Sequence, residues 1–411
     1  MIQVSEARRI ILENTHVGGV EVVPLTDCLG RVLAEAVHAC RDVPPMDNSA
    51  MDGFALNAAQ STGASEAAPV FIPVSRTIRA GDEPGAAVGS HEAVKIMTGA
   101  PIPDGVDSVV RVEDTSFKDD YLVLGKPLGV GDNIRAAGED IASGSDILKP
   151  GRCLNPADMG LVASQGIAQL TVYRRPTVAI LATGDEVVDL GEIPRDAQIF
   201  SSNSYTLMGL VQECGAIPRV LGISPDDPAQ MAGMIREGLT SDVVVTSGGV
   251  SMGDYDFLKD VLEEIGARVL FCRVAQKPGK PMTFGVMGWK PIFALPGNPV
   301  SAALSFELYA RPAIRKMMGH TRLFRPTIQA LMEQSIRKKK GRRNFIRGIV
   351  ERKDGIFYVR TTGKQGSGIL RSMSSANGII ILSEDVDGAE AGQPVDVYLL
   401  NSDDVLLEGG V

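Results

Sequence analysis

The feature that most constrains the fold is a strict alternation of strand-like and helix-like runs between residue 174 and about residue 320. PTVAILATGDE and SDVVVTSGG are typical of buried strands, and SNSYTLMGLVQECG and PAQMAGMIREGL have the apolar spacing of helices. Strands of a parallel sheet are apolar along their whole length because helices cover both faces. The alternation therefore predicts an α/β domain with a doubly wound parallel sheet.

The rest of the chain has other sequence patterns, and a chain of 411 residues is too long for one hydrophobic core of ordinary size. The first forty residues have a helical pattern, in which TDCLGRVLAEAV would place Leu29, Val32, Leu33, Ala36 and Val37 on one stripe. Short β-like runs follow from about residue 54 to 138, and NPADMGLVASQGIAQLTVY returns to a helix and a strand. Five further β-like runs in the last ninety residues predict a small barrel or sandwich. We therefore expect a multidomain chain.

Composition excludes several classes of function. The net charge of −9 argues against broad nucleic-acid binding, which needs a basic surface. The four histidines are isolated, and the five cysteines have no C-x-x-C spacing, which favours reduced thiols in the cytoplasm. MIQVSEARRI lacks the apolar core of a signal peptide, and no run is long enough for a membrane span, so we expect no membrane association.

Polar residues concentrate where the predicted strands of the sheet end. The four ends carry ATGDE, SPDDP, TSGGVSMGDYD and LPGNPVS. In an open α/β sheet, ligands bind beyond the carboxyl ends of the strands. Taken singly, each glycine pair is typical of a turn and each aspartate of a helix cap, but together the four ends predict a nucleotide or phosphate site.

These residue types suit a bound phosphate and a metal. Gly248 and Gly249 would let the backbone approach an oxyanion, and Ser247 adds a hydroxyl donor. Asn298 can cap the helix that follows LPGNP, and a phosphate there would meet free amides. Acidic side chains at the same ends supply the hard oxygen ligands that Mg²⁺ prefers; they are Asp185, Glu186, Asp254 and Asp256.

Two basic segments could bind an anion. In QKPGKP, Lys277 and Lys280 flank a Pro-Gly turn, which suits either a small-oxyanion clamp or a solvated loop. RKKKGRRNFIR is more typical of a solvated face or strand edge, although Arg342, Arg343 or Arg347 could face an anion shared with a neighbouring subunit. Acidic loops of the β-rich region are weak signals taken alone; they contain Asp47, Asp52, Glu139 and Asp140.

Eight motifs occur in the order seen in the molybdopterin molybdenumtransferases, which include bacterial MoeA and the C-terminal domain of gephyrin. The motifs are PPMDNSAMDGFA, IMTGAPIPDGVDSVVRVED, AAGEDI, ATGDE, TSGGVSMGDYD, KPGKP, LPGNPVS and TTGKQGSGILRSMSSAN. The chain resembles this family from about residue 5 to its end.

The resemblance implies four domains and an elongated homodimer with active sites between the subunits. The first, dimerising domain would comprise residues 1–41 and 141–173, split by an inserted β-rich domain at 42–140. A domain similar to molybdopterin adenylyltransferases would follow at 174–321, and a β-barrel domain at 322–411. Family members cleave AMP from adenylylated molybdopterin with Mg²⁺ or another divalent cation, and insert molybdate.

The resemblance also implies roles for individual residues. Those matching catalytic positions are Asp52, Asp140, Glu186, Asp226, Asp256, Pro296 and Pro299. Those matching positions for adenylylated molybdopterin are Thr98, Thr183, Gly184, Asp185, Ser247, Gly248, Gly249, Gly297, Asn298 and Ser301. The molybdate positions are Lys277, Lys280, Arg347 and Ser367, and the metal positions are Asp256, Glu186 and Asp254. The family often has Gly-Glu where this chain has Gly253-Asp254, which leaves open which acid binds the metal.

Three alternatives are compatible with parts of this pattern. A molybdopterin adenylyltransferase would use a similar third domain, but bifunctional chains carry a second copy of the TSGG and PGNP motifs, and this chain has one. A scaffold role would need additional linker and partner domains. Tungstate is nearly isosteric with molybdate, so the sequence does not separate the two. A molybdopterin adenylyltransferase is also an expected partner, because it makes the substrate.

Overall fold

The structure is a computed structural model that describes residues 1–249 and 258–400. It contains two compact units. The sheet–barrel unit comprises residues 1–22 and 30–34 and the chain from 171 onward, and the inserted unit comprises residues 23–29 and 35–170. Over the described residues, no helix has the length and apolarity required to cross a membrane.

A six-stranded sheet forms the centre of the sheet–barrel unit. Its strands, in spatial order, are Ile217–Ser224, Thr177–Thr183, Val243–Ser247, Lys290–Leu295, Pro281–Met287 and Arg268–Arg273. The first four are parallel, which confirms the parallel sheet where the polar strand ends lie. The last two extend the sheet in antiparallel pairing, and the strand Pro281–Met287 was not predicted from the sequence.

Helices cover both faces of this sheet, as the apolar strands predicted. Val178 and Ile180 face a core with Leu207 and Val211, whereas the alternate residues of the strand face a second core. The helices on the first face are Val4–Glu13, Ser202–Glu213, Pro299–Ser305 and Arg311–Met317, the last two joined by the π-helical segment Phe306–Ala310. The helices on the second face are Pro228–Gly238 and Leu258–Glu264.

The order of the strands determines where a ligand can bind. The chain leaves Thr177–Thr183 for the outer strand Ile217–Ser224 and then returns to Val243–Ser247 on the opposite side. The winding direction therefore reverses between the carboxyl ends of Thr177–Thr183 and Val243–Ser247. A crevice opens at such a reversal because the two connections leave in opposite directions.

A five-stranded barrel follows, as expected for the C-terminal domain. Around the barrel its strands are Arg343–Lys353, Ile356–Thr361, Thr327–Met332, Pro394–Leu399 and Gly378–Leu382, and the last pairs with the first. Gln276–Lys277 joins this sheet parallel to Arg343–Lys353. Ile336–Arg337 pairs with Gly388–Ala389, and Leu370–Ser374 is a short helix.

The inserted unit is rich in β-structure, as predicted. Its six-stranded sheet has the order Ser108–Arg111, Gly53–Leu56, Ala93–Ile96, Val70–Ile78, Tyr121–Leu124 and Ser116–Lys118. Two small antiparallel pairs join Val37–His38 to Asp146–Leu148 and Asn48–Ser49 to Ile134–Arg135. The helix Pro156–Ser164 begins with a capping box formed by Asn155 and Asp158.

The predicted helix in TDCLGRVLAEAV is wrong. The strand Val20–Pro24 leads into a 3₁₀ turn at Leu25–Asp27, and Gly30 then adopts a φ of +73°, which a continuing α-helix does not allow. Leu33 forms an antiparallel bridge with Val172, in the strand Gln169–Tyr173. Leu29 is exposed and Leu33 is buried, although the predicted helical stripe would place both on one face.

Candidate active site

The two strands at the reversal end in a close approach of their backbones. Gly248 has a φ of +105°, and a Cβ there would lie 2.4 Å from the Thr183 hydroxyl oxygen. Gly184, on the other strand, has a φ of +136°. The amide of Gly248 donates to the Leu295 carbonyl, and that of Gly184 to the Ser224 carbonyl, so neighbouring strands already use these two donors. The glycines therefore provide space rather than free amides at these two positions.

A cavity of about 630 Å³ opens above these strand ends, and we call it the switch-point cavity. Ten predicted residues line it: Thr183, Gly184, Glu186, Asp226, Ser247, Gly248, Gly249, Gly297, Asn298 and Pro299. Asp185 lies on the same turn and is exposed. Further lining residues were not predicted from the sequence, among them Val187, Ile199, Phe200, Ser201, Ser202 and Asn203. The Ser-Ser-Asn-Ser run at 201–204 was a usable signal, because polar residues cluster there at the start of a helix.

Acidic side chains cluster on one side of the switch-point cavity. The backbone amide of Asp226 donates to Asp185 Oδ1 at 3.1 Å. Burial, together with the negative charges of Asp185 and Glu186, raises the pKa of the Asp226 carboxyl group. A bound cation would relieve this repulsion. Within residues 1–249 and 258–400, however, no three acidic, histidine or cysteine side chains are arranged as a complete metal site. The predicted ligands Asp254 and Asp256 lie outside the described residues.

A second cavity, of about 610 Å³, lies between the sheet and the barrel, and we call it the loop–barrel cavity. All four predicted molybdate residues line it: Lys277, Lys280, Arg347 and Ser367. Pro296 and Ser301 also line this cavity rather than the first. Asn298 lines both cavities, so the turn that carries it forms part of their shared wall.

Arg347 is the most unusual residue of the loop–barrel cavity. Its side chain is 1% exposed, and it forms no ion pair with any residue in the described ranges. Its Nε donates to Ser372 Oγ at 3.0 Å, and its Nη2 donates to the Gly366 carbonyl at 2.9 Å. Burial lowers the pKa of this guanidinium to about 10, so it remains charged at neutral pH. A buried cation without a carboxylate partner is suited to an anionic ligand.

Two buried side chains shape the loop with the two lysines. Tyr309 donates its hydroxyl hydrogen to Gln276 Oε1, and Gln276 Nε2 donates to the Gly279 carbonyl at 3.1 Å. Gly279 has a φ of +85°, and a Cβ there would lie 2.8 Å from Ser305 Oγ. Gln276 and Tyr309 were not predicted from the sequence, because a buried polar contact between distant segments has no local pattern.

The helix after LPGNP begins as expected, but its cap differs from the prediction. Pro299 occupies the first turn. The side chain of Asn298 makes no capping hydrogen bond, and the amide of Val300 donates to the Ser367 carbonyl at 3.1 Å. The predicted Asn298 cap is therefore wrong: the barrel segment that carries Ser367 supplies one acceptor, and the Asn298 side chain lies against both cavities.

Three predicted residues belong to the inserted unit. Asp52 Oδ1 accepts hydrogen bonds from the backbone amide and the hydroxyl of Thr98, at 2.7 and 2.8 Å, and these bonds lower the pKa of Asp52. Asp140 is exposed, and its amide donates to the Val43 carbonyl. Asp47 Oδ1 accepts a hydrogen bond from the amide of Ala137, and this bond joins the segment before Asp52 to the segment before Asp140. The inserted unit thus holds Asp52 and Thr98 in direct contact.

Comparison with known proteins places this architecture in a family. The family model "MoeA N-terminal region (domain I and II)" matches residues 2–166, "Probable molybdopterin binding domain" matches 179–316, and "MoeA C-terminal region (domain IV)" matches 329–400. Molybdopterin molybdenumtransferase 2 of Mycobacterium tuberculosis is 37% identical over 404 residues, which cover 97% of this chain and 99% of that protein. The chain belongs to the molybdopterin molybdenumtransferase family.

Other members of the family are similar to this chain over nearly its full length. The molybdopterin molybdenumtransferase of Staphylococcus aureus is 34% identical, covering 98% of this chain and 96% of that protein. The crystal structure of the molybdopterin biosynthesis MoeA protein from Pyrococcus horikoshii is 30% identical, with a TM-score of 0.83 over 97% of this chain and 100% of that chain. The molybdenumtransferase fold therefore extends over nearly the whole chain, including the barrel that forms one side of the loop–barrel cavity.

Proposed function

We propose that the chain cleaves AMP from adenylylated molybdopterin and inserts molybdate into the released molybdopterin. The observation that carries this proposal is the pair of adjacent cavities that share Asn298. One has a hydroxyl- and glycine-rich wall with acids beside it, and the other has two lysines and a buried arginine that pairs with no carboxylate in the described part of the chain. A substrate with a phosphoanhydride at one end and a metal-binding dithiolene at the other needs two such environments side by side.

In this proposal, the switch-point cavity binds the adenylylated phosphates. Ser247 and Thr183 donate hydroxyl hydrogen bonds, and the glycines at 184, 248 and 249 leave room for phosphate oxygens. Glu186, with Asp256 or Asp254, would hold Mg²⁺ or another divalent cation, whose charge would offset that of the phosphates. The raised pKa of Asp226 supports a cation here, because a positive charge would stabilise the crowded carboxylates.

The loop–barrel cavity binds molybdate in the same proposal. Arg347, Lys277 and Lys280 neutralise the dianion, and Ser367 adds a polar contact. Water cleaves the phosphoanhydride and AMP leaves. The two thiol sulfurs of molybdopterin then bind molybdenum, and one oxo ligand of molybdate leaves as water with the two thiol protons. Pro296 and Pro299 fix the turn that carries Asn298, so the two ends of the substrate stay in register.

We further propose that the enzyme acts as a cytoplasmic homodimer, in which Asp52, Asp140 and Thr98 of one copy complete the site of the other. The resemblance to the family motivates this assignment. The hydrogen bonds from Thr98 lower the pKa of Asp52 and orient its exposed carboxylate, which could face a cation of the other copy. A molybdopterin adenylyltransferase would supply the substrate.

The test is single-turnover release of AMP. With Mg²⁺, adenylylated molybdopterin and molybdate, the purified protein should release one AMP per site, and the product should activate a molybdenum-free apo-enzyme. EDTA should abolish the release. Asp226→Asn should raise the Mg²⁺ concentration for half-maximal release, whereas Asp260→Asn, an exposed acid on a neighbouring helix, should not. AMP that stays on the pterin under these conditions would disprove the proposal.

A further inference from the structure

Asn203 occupies a place in the switch-point cavity that no motif assigned. It lies in the first turn of the helix Ser202–Glu213. Its Nδ2 donates to the Gly297 carbonyl and to Ser247 Oγ, both at 2.7 Å. One side chain thus joins this helix to the ends of two strands, Val243–Ser247 and Lys290–Leu295.

The partners fix the orientation of the amide. A carbonyl oxygen can only accept, so the Asn203 atom 2.7 Å from the Gly297 carbonyl must be the NH₂ group. That orientation leaves Asn203 Oδ1 buried and without a hydrogen-bond partner in the described part of the chain. Ser247 Oγ lies next to the same NH₂ group, and it must therefore accept from Asn203.

This orientation determines where the Ser247 hydroxyl hydrogen can point. With one lone pair occupied by Asn203, Ser247 is free to donate. Among the described residues, Ser247 Oγ meets the Pro296 carbonyl as an acceptor at 3.4 Å, which is beyond the usual range for a hydroxyl donor. A phosphate oxygen in the cavity would be a better acceptor, because hydrogen bonds to charged groups are shorter and stronger.

We infer that Asn203 is a positioning residue that holds the Ser247 hydroxyl as a hydrogen-bond donor toward the phosphate in the switch-point cavity. The inference rests on the proposed function, which places an adenylyl phosphate there. Asn203 acts through Ser247 and through the Gly297 carbonyl, and it fixes both strand ends in one arrangement before the ligand arrives. Such preorganised donors are effective because they need no rearrangement on binding.

The test is a double-mutant cycle on the dissociation constant for AMP, measured by calorimetry in the presence of Mg²⁺. Ser247→Ala should weaken AMP binding by roughly 10-fold, as expected for the loss of a hydrogen bond to a charged group. Asn203→Ala should weaken it to a similar extent. The double variant should also lose roughly 10-fold rather than 100-fold, because Asn203 has no hydroxyl to orient once Ser247 is removed.

Asn203→Asp provides a variant of the same shape in case the alanine variant fails to fold. Its carboxylate would attract the Ser247 hydroxyl hydrogen and repel the phosphate, so AMP should bind more weakly than to Asn203→Ala. The matched control is Asn57→Asp, which adds the same charge at a cap in the inserted unit where aspartate can also accept from the Ala59 amide. It should bind AMP like the wild type.

The outcomes separate this inference from the proposed function. If the two single effects multiply in the double variant while the wild type binds and releases AMP, Asn203 does not act through Ser247 and the inference is wrong. If the wild type neither binds AMP nor releases it from adenylylated molybdopterin, the proposed function is wrong, and the inference falls with it.

Discussion

At the scale of single residues, Arg347 shows how a cost in stability indicates a ligand. Its side chain is buried and pairs with no carboxylate of residues 1–249 and 258–400, and burial lowers its pKa to about 10. The charged form is therefore less favourable in the folded than in the unfolded chain at every pH below about 10, and it opposes folding there. A bound oxyanion would supply the missing countercharge, so a ligand and not the fold accounts best for this arginine.

Arg347→Met should remove the response of the protein to molybdate and leave the fold intact. Ser372 Oγ keeps its hydrogen bond to the Ile369 carbonyl, and Gly366 is exposed, so neither partner is left buried and unsatisfied. Molybdate at 100 times its dissociation constant should raise the free energy of unfolding of the wild type by about 2.7 kcal/mol, and with it the unfolding temperature. The unfolding temperature of the variant, measured by circular dichroism, should not change when molybdate is added.

Arg352→Met is the matched control for that experiment. Arg352 lies on the same strand, Arg343–Lys353, but it is exposed and contacts the ring of Phe357. Its substitution should leave the shift caused by molybdate unchanged. A wild-type shift in the Arg347 variant would exclude Arg347 from the oxyanion site.

At the scale of elements, the ends of the strands were predictable and the contacts between them were not. Glycines after apolar runs indicate a strand that ends in a turn, and Gly248 and Gly184 do have positive φ angles. Asn203 contacts Ser247, which lies 44 residues away in the sequence. Gln276 contacts Tyr309, which lies 33 residues away. Such contacts are invisible in a local pattern, because only the fold brings the partners together.

Gly248→Ala should disrupt the site from the end of its strand. The new Cβ would lie 2.4 Å from Thr183 Oγ1 and 2.6 Å from the Thr183 carbonyl oxygen, and φ is +105°. The two strand ends would have to separate, which should lower the free energy of unfolding by about 1–3 kcal/mol and weaken AMP binding. Urea unfolding and calorimetry with AMP measure the two effects.

Gly209→Ala is the corresponding control within a neighbouring element. Gly209 lies in the helix Ser202–Glu213, and a Cβ there would meet no atom within 4 Å. This substitution should raise the free energy of unfolding by about 0.5–1 kcal/mol, as expected for glycine in a helix, and leave AMP binding unchanged. Equal losses in both variants would show that the site does not depend on the close approach at Gly248.

At the scale of the whole molecule, alternation predicted the sheet because parallel strands must be buried on both faces. The helical spacing of Leu29, Val32, Leu33, Ala36 and Val37 predicted a helix in residues 26–37, where the structure has a 3₁₀ turn followed by an extended segment. Gly30, with its positive φ, and the bridge from Leu33 to Val172 decide between them. The strand Pro281–Met287 was missed for a different reason, since KPGKP, whose last residue begins this strand, indicated a loop.

Subunit complementation would test whether the proposed active site is shared between two copies of the chain. Asp52→Ala alters the inserted unit and Arg347→Met the sheet–barrel unit, so each variant alone should fail to insert molybdate. In a mixed dimer, one site would carry both substitutions and the other neither. Random exchange makes half of the dimers mixed, with one active site in two, so about a quarter of wild-type activity should return. The two variants should be unfolded together, refolded and assayed, with each variant refolded alone as the control. Sites confined to one copy would give no recovery, because every copy would then carry one of the two defects.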